Sequence, residues 1–326
     1  MKRIVQVYKA GPDWVGVPPG LGDFVRGICH LYEKVQRYPD LELRIDMSQT
    51  GFFDLIEFDK EVFQVGDPAK IASAQEYFIN HEALHKRFDE FVRSEESELY
   101  LCTNLGDWNR TTLPPEIRIF AQKFYRFRPS VHDTNREALG ENPYAVLSIR
   151  AGDEFYGEKA SDVGRELKAR LFALIEKRIL QNTPYPLVVT SDSFQLKREL
   201  CDRFQLKMLT HVSQHGAHGN VEPVARDMDL IKHSRFNFHI NAWQAWWSGF
   251  SHYTSLLFEI PSVNFISPYF SKQEILPSGK VRTPLTDHLH FLRKKAKSGF
   301  SAQWRWRVQE PLRKMTGRGK GSLDAP

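Results

Sequence analysis

A strand-like run in the middle of the chain ends in a group of charged residues. Residues 144–157 read YAVLSIRAGDEFYG, so a strand-forming segment leads to Arg150, a flexible Ala-Gly pair and two acids, Asp153 and Glu154. A guanidinium at a strand end can grip a phosphate through two parallel hydrogen bonds and keeps its proton at physiological pH. These residues predict a site for a phosphorylated ligand at Arg150. A salt bridge from Arg150 to Asp153 or Glu154 is the structural alternative.

A glycine-containing turn, PPGLGD at 18–23, precedes the first long helical pattern. Gly20 and Gly22 would let the backbone approach a ligand, and the start of the following helix offers free N–H groups and a positive dipole to an anion. The turn lacks the G-x-G-x-x-G spacing and a Walker lysine, so neither dinucleotide nor triphosphate binding is predicted. The alternative is an ordinary loop in which Asp23 caps the helix.

Two later segments also place polar groups where a strand gives way to a helix. In TSD (190–192), Ser191 and Asp192 suit the hydroxyls of a ribose or a sugar, although Asp192 or Ser193 could instead cap the next helix. In INAWQAWWSGFSHYTSLL (240–257), a helix start could offer N–H and hydroxyl donors to a diphosphate. The candidate donors there are Ser248, Gly249 and Ser251.

Strand and helix patterns alternate along most of the chain. The predicted strands are 3–8, 41–46, 62–65, 98–104, 144–150, 186–192, 207–211, 236–241 and 262–267. The predicted helices are 20–38, 76–93, 114–127, 164–181, 193–204, 225–234 and 248–259. Strands separated by single helices predict parallel sheets that are covered on both faces. The polar segment 128–143, with prolines near both ends, is the predicted connection between two domains.

The length of 326 residues exceeds what one compact core usually holds, so we expect more than one domain. We predict an α/β protein with two Rossmann-like, doubly wound parallel-sheet domains, 1–135 and 136–275, that face each other across a cleft. A helical, basic tail, 276–326, would follow them. Ligands of such sheets bind beyond the carboxyl ends of the strands, which is where Arg150 is expected.

The composition excludes several classes of protein. Hydrophobic residues make up 41% of the chain and aromatic residues 13%, as in globular proteins, and the net charge of +5 is only mildly basic. The three cysteines, an odd and widely spaced set, show no disulfide or metal pattern and favour a reducing compartment. We identify neither a signal peptide nor an uninterrupted apolar stretch of about 18 residues, so a cytoplasmic protein is expected.

Four segments, taken in order, resemble the α1,2/α1,6/protein-O-fucosyltransferase superfamily. They are GLGD early in the chain, IRAGD in the middle, TSD one helix later, and DMDLIKHS followed by a Trp- and Ser-rich turn. Members of that superfamily have a GT-B-like fold, an H-x-R-x-x-D type motif, an S/T-D-D motif and a serine-rich helix start. The α1,2 members carry N-S-S-F-S-W-W, which INAWQAWWSGFS echoes through Asn241, Trp246 and Trp247. The similarity covers the order of elements over most of residues 1–267.

The resemblance implies an inverting, metal-independent glycosyltransferase that uses GDP-fucose and no cofactor. The first domain would lie on the acceptor side and the second would bind the nucleotide sugar. Arg150 would hold the β-phosphate as the leaving diphosphate gains charge. Asp229 would pair with guanine, and Ser248 and Ser251 would bind phosphate at the helix start.

The resemblance also implies a carboxylate a few residues after the arginine that takes the proton of the acceptor hydroxyl. Glu158 has the family-like spacing from Arg150, and Glu154 and Asp153 are close rivals. The sequence departs from the family pattern elsewhere. Ser148 stands where the family has a histidine, and Ser193 stands where it has a second acid. The stretch Ala242, Trp243 and Gln244 interrupts the serine-rich motif. The donor sugar and base therefore stay open.

A rival motif, H-E-x-x-H, occurs in NHEALHKRF. On a helix, His81 and His85 would share a face and could hold zinc while Glu82 activates water, as in zinc hydrolases. The sequence offers no clear third ligand, because no histidine continues the extended motif and Glu95 and Glu96 follow too soon. The charged surroundings favour a solvated helix face with two histidines, and we expect no metal site.

Two more segments have an unusual composition, one rich in histidine and glycine and the other in basic and aromatic residues. The loop HVSQHGAHGN matches no standard metal spacing and is interpreted as a mobile loop on the acceptor side. Its histidines are His211, His215 and His218. Residues 293–315 mix basic and aromatic side chains with a single acid, Glu310. This stretch either packs on the body as a helix or contacts an anionic membrane surface at the cytoplasmic face.

These observations predict an enzyme of polysaccharide biosynthesis. It would move a sugar, fucose by the resemblance, from a nucleotide sugar to a glycan or a lipid-linked glycan, and would not bind nucleic acid. One alternative is a glycosyltransferase with a different donor. Another is a glycan- or nucleotide-binding protein of the same fold without turnover, since two family residues are replaced. The zinc hydrolase is a third, unrelated alternative.

Overall fold

Two β-sheets, each built mainly from parallel strands, form the centre of the protein. The computed structural model describes residues 1–8, 20–77, 80–107, 110–150, 162–211, 221–241, 249–266, 271–275 and 281–282. Every feature below belongs to these residues. Among them, no helix has both the length and the apolar character needed to cross a membrane.

The first sheet has four parallel strands in the order β2-β1-β4-β3. Its strands are β1 (Lys2–Val7), β2 (Leu41–Asp46), β3 (Gln75–Tyr77) and β4 (Glu98–Thr103). The helices of this half are α1 (Leu21–Val35), α2 (Pro68–Ala72), α3 (His81–Arg93), α4 (Pro115–Gln122) and α5 (Pro129–Leu139). The Asn80 side chain caps α3 by accepting a hydrogen bond from the backbone N–H of Ala83.

The second sheet has six strands in the order β10-β9-β8-β7-β5-β6. The parallel strands are β5 (Ala145–Arg150), β6 (Leu187–Ser191), β7 (Phe236–Asn241) and β8 (Ser262–Ile266). An antiparallel edge follows, made of β9 (Ser271–Ile275) and β10 (Val281–Arg282). The helices are α6 (Asp162–Leu174), which continues as a π-helical segment (Ile175–Leu180), α7 (Phe194–Phe204), α8 (Glu222–His233) and α9 (Gly249–Leu257).

The two faces of the second sheet differ in chemistry because its strands alternate apolar and polar residues. One face is apolar and packs against α6 and α7 through a single core cluster, to which Leu147, Val189 and Phe238 contribute from the strands. The alternate residues, which point to the other face, include polar side chains, as in FNFHIN of β7 and SVNFI of β8. That polar face is buried as well, so its groups need partners inside the protein.

Helix α9 belongs to both halves of the molecule. Its Tyr253 and Leu257 are part of the core of the first sheet. The hydroxyl of Thr254 lies 3.0 Å from that of Tyr125, and the Tyr253 hydroxyl donates to the Asp107 carbonyl. Ser251 instead contacts the second sheet. One short helix thus joins the two cores.

The alternating architecture predicted from the sequence is confirmed, with local differences. Segments 62–65 and 207–211 form only isolated bridges, at Phe63 and Lys207. The helix predicted over 76–93 starts at His81, because the residues before it add β3 to the sheet edge. The antiparallel strands β9 and β10 were not predicted. The tail predicted to be helical, 276–326, is described only at 281–282, where it forms β10 instead of a helix; its other residues lie outside the described part of the chain.

The division at residues 135 and 136 remains a prediction. The polar segment 128–143 contains helix α5, whose Asn135 side chain donates to the carbonyl of Arg226 on α8. The segment therefore connects the sheets along the chain and also packs on a helix of the second half.

Candidate active site

Arg150 is fixed by an acid from the neighbouring strand. It is the last residue of β5, and its Nη1 lies 3.1 Å from Oδ2 of Asp192, which directly follows β6. The Arg150 side chain is 30% exposed and that of Asp192 is 12% exposed. The ion pair orients the guanidinium, and its fork carries more N–H donors than one carboxylate can use. Asp153 and Glu154, the partners expected from the sequence, lie outside the described residues.

The residues of TSD and the following Ser193 have different hydrogen-bond and ion-pair partners. Ser193 caps α7, because its hydroxyl accepts a hydrogen bond from the Leu196 N–H at 3.3 Å. The Ser193 N–H in turn donates to the hydroxyl of Ser191, which is buried. The cap predicted as an alternative is thus Ser193, which leaves Asp192 to pair with Arg150.

The starts of helices α1 and α9 touch backbone to backbone. A Cβ atom on Gly22 would overlap the backbone of Phe250, and a Cβ on Gly249 would lie 2.6 Å from a carboxylate oxygen of Asp23. Each helix follows a parallel strand of its own sheet, α1 after β1 and α9 after β7. The structure thus brings together Gly20, Gly22, Asp23 and Gly249, which the sequence placed in two separate motifs.

Helix α1 follows Gly20, and Asp23 lies in its first turn, where a negative charge interacts favourably with the helix dipole. Its Oδ1 lies 2.9 Å from Nη1 of Arg26, a fully buried arginine whose Nε donates to the Asn104 carbonyl. Burial lowers the pKa of Arg26, and the charge of Asp23 opposes that shift. Asp23 therefore neutralises a buried cation beside the helix contact.

A chain of buried hydrogen bonds crosses the polar face of the second sheet. The Thr190 hydroxyl donates to Ser148, and Ser148 donates to the side-chain carbonyl of Asn237, each at 3.1 Å. The Asn237 amide then donates to the hydroxyls of Ser251 and Ser255 on α9, each at 2.8 Å. Ser251, predicted from the sequence to bind phosphate, is therefore used within the core to hold α9.

Sequence reasoning missed His239, which lies on β7 level with Ser148. Its Nδ1 is 3.1 Å from Oδ1 of Asn264, and no group in the described part of the chain bonds to its Nε2 or to the Asn264 amide nitrogen. Burial lowers the pKa of His239 to about 4; the Asn264 bond opposes this shift, and the Arg150 charge adds to it. A buried neutral imidazole thus lies near Arg150. The alternating pattern FNFHIN was the signal that could have revealed it.

Asp229 is not brought together with Arg150. It lies near the end of α8, which leads into the start of β7, and its buried carboxylate meets Asn135 at 2.9 Å, His233 at 3.1 Å and His132 at 3.3 Å. Burial alone would raise the pKa of Asp229, but the bonds from His233 and Asn135 and the His132 charge together lower it. Asp229 therefore links its own helix, α8, to α5.

Other predicted residues lie outside the described part of the chain. They are Asp153, Glu154, Glu158, Trp246, Trp247 and Ser248. The carboxyl edge of the second sheet contains the phosphate-binding candidate Arg150, its partner Asp192, and Asn241, which is level with Arg150 on β7. The fixed cation of Arg150 can hold an anionic ligand at this edge.

Comparison with known proteins gives matches among solved structures. No family model matches the sequence, and no curated protein matches it. The fucosyltransferase NodZ from Bradyrhizobium is 14% identical, with a TM-score of 0.53 over 84% of this chain and 98% of that chain. Arabidopsis thaliana FUT1, solved as a mutant with GDP, is 13% identical, with a TM-score of 0.54 over 83% of this chain and 73% of that chain. The chain therefore has a fucosyltransferase-like GT-B fold, as the resemblance implied.

The contact between the helix starts generates a prediction. Gly22→Ala should destabilise the protein by about 3 kcal/mol or more, because the added methyl group meets backbone atoms of α9 that cannot rotate away. Urea unfolding followed by circular dichroism measures the change. Gly51→Ala is the matched control, since its Cβ would meet only a methyl group of Val221 at 3.1 Å. Equal stability of the two variants would contradict the close approach of α1 and α9.

Proposed function

We propose that this protein is an inverting, metal-independent glycosyltransferase that transfers fucose from GDP-fucose to a glycan acceptor. The observation that carries the proposal is the fixed guanidinium of Arg150 at the carboxyl edge of a GT-B-type sheet. A NodZ α-1,6-fucosyltransferase soaked with GDP-fucose has the same fold, with a TM-score of 0.50 at 14% identity over 84% of this chain and 99% of that chain. That likeness supports GDP-fucose as the donor to test first.

Charge development on the leaving group is the main demand of the reaction. As the bond from the sugar to the diphosphate breaks, negative charge builds on the β-phosphate of GDP. Arg150 would stabilise that charge, and its ion pair with Asp192 holds the guanidinium in place before the donor arrives. The N-terminal end of α9, which follows β7 along the chain, is a further candidate for binding the diphosphate through its helix dipole.

The acceptor must lose a proton while the new bond forms. An acceptor hydroxyl attacks the sugar carbon from the side opposite the diphosphate, and a carboxylate takes the released proton. We assign this role to Glu158, with Glu154 and Asp153 as rivals after Arg150. The acceptor would approach from the side of the first domain. A lipid-linked acceptor would suit the basic and aromatic segment 293–315, if that segment rests on a membrane surface.

A second candidate function is nucleotide or glycan binding without turnover. Ser148 and Ser193, which replace two family residues, both make structural hydrogen bonds, Ser148 to Asn237 and Ser193 as the cap of α7. The Ser148 hydroxyl has already donated its proton to Asn237, and neither serine can reproduce the charge or the ring nitrogen of the family residue it replaces. This candidate predicts retained GDP binding with no transfer. The zinc hydrolase alternative instead predicts activity that a chelator removes and zinc restores.

A thermal-shift panel tests the donor. GDP should raise the melting temperature more than UDP, CMP or ADP at equal concentration, because a ligand that binds only the folded state stabilises it. Assays of GDP-fucose hydrolysis and transfer, with and without a chelator, then separate the three functions. If GDP stabilises no better than the other nucleotides, the fucosyl assignment fails while the fold stands.

Arg150→Ala should remove most turnover and leave folding intact, because a partly exposed strand-end side chain contributes little to the core. Arg150→Lys should restore only part of the rate, since one ammonium cannot reproduce the two-pronged contact of a guanidinium. Steady-state kinetics measure both variants. Arg87→Ala is the matched control, because Arg87 also forms an ion pair, with Glu96, but on α3. An unchanged rate in Arg150→Ala would end the leaving-group hypothesis.

Glu158→Gln should lower the transfer rate strongly while GDP affinity barely changes, because a base contacts the acceptor and not the nucleotide. Glu154→Gln and Asp153→Asn, assayed in parallel, distinguish the three carboxylates. The measurement is the transfer rate at saturating donor together with GDP affinity by calorimetry. If none of the three substitutions slows transfer without weakening GDP binding, none of these carboxylates is the base.

A further inference from the structure

Three histidines from two neighbouring helices converge on one face of the first sheet. His30 lies on α1, and His81 and His85 lie one turn apart on α3. The connections β1-α1-β2 and β3-α3-β4 step in the same direction across the sheet, so right-handed crossovers put both helices on one face. The rings of His81 and His85 meet the His30 ring edge-on, at centroid distances of 6.1 and 6.2 Å.

We infer that His30, His81 and His85 form a zinc site that clamps α3 to α1. One ring nitrogen from each histidine lies within 4.8 Å of the other two. A tetrahedral zinc ion with Zn–N bonds of about 2.05 Å needs its ligand nitrogens about 3.4 Å apart. Side-chain rotations can close that difference, because His81 and His85 are exposed. The third ligand, which the sequence of H-E-x-x-H did not reveal, comes from the other helix.

His30 supports this inference through an unmet need for a partner. Its Nε2 is buried, and none of the described groups forms a hydrogen bond with it. A buried polar atom without a partner costs free energy, which a metal ion would recover.

Lys34 competes with the ion for His85. Its ammonium nitrogen lies 2.6 Å from Nδ1 of His85 and donates to it. An imidazole that accepts at Nδ1 carries its proton on Nε2, so Lys34 must move whichever nitrogen binds zinc. Removing this ammonium should therefore strengthen zinc binding.

The site is separate from the proposed reaction. His30 follows the first residue of α1, Leu21, by nine positions, which corresponds to about 13 Å along a helix. Zinc there would join two helices of the first half and would not contact the edge that carries Arg150. Loss of this site and failure of the fucosyltransferase proposal are therefore distinguishable, because the first changes zinc binding and the second changes GDP binding.

The test uses the full chain, without a histidine tag, freed of metal by a chelator and then dialysed. Calorimetric titration with zinc chloride should give binding at one ion per chain, and the melting temperature should rise. Cobalt(II), used as a spectroscopic probe, should give the visible absorption of tetrahedral coordination. His81→Gln and His85→Gln should each lower zinc affinity about 100-fold, and since both side chains are exposed these variants should fold.

Two further variants make the test specific. Lys34→Met should raise zinc affinity about 10-fold, because it removes a competing cation while keeping the length of the side chain. His132→Gln is the matched control, since His132, Asp229 and His233 form the other described group with metal-ligand geometry. Zinc binding that persists in both His81→Gln and His85→Gln but disappears in His132→Gln would overturn the proposal. Wild-type protein that binds no zinc would overturn it equally.

Discussion

The structure depends on a nine-residue helix, α9, that is bonded on opposite sides to two different cores. Toward the first sheet it inserts Tyr253 and Leu257, and toward the second sheet it offers Ser251 and Ser255 to Asn237. Apolar burial is tolerant of direction, whereas hydrogen bonds between buried groups fix angle and register. The apolar side therefore supplies cohesion, and the polar side sets where the start of α9 lies.

The glycine contact extends this constraint across the molecule. Because Gly22 of α1 lies against the backbone of Phe250, the position of α9 also fixes the start of α1. Two helix starts, one from each half, are thereby held together. Asp23 compensates the buried charge of Arg26 at the same place. The proposed donor site would depend on such a rigid junction, since a shift of about 1 Å in a reacting group can cost a large factor in rate.

The second sheet buries a face that carries polar side chains, which is unusual in a protein core. Ser148, Thr190 and Asn237 use hydrogen bonds where most cores use apolar packing, and His239 adds a neutral imidazole whose Nε2 has no partner among the described residues. Each of these groups is costly if it loses its partner. The row of polar side chains extends from the strand interior to Arg150 and Asp192 at the edge of the sheet.

The sequence by itself determined the alternating elements, the two-sheet architecture and the placement of Arg150 at a strand end, because those features depend on local periodicity and short motifs. It also marked TSD and the glycine turn as helix starts. The tertiary structure decided the partners: Asp192 for Arg150, Phe250 for Gly22, and His30 for the histidines of α3. Those residues are far apart along the chain, and only the order of strands in a sheet brings them together. The same reason explains Asp229, whose contacts with α5 follow from helix packing that no local pattern encodes.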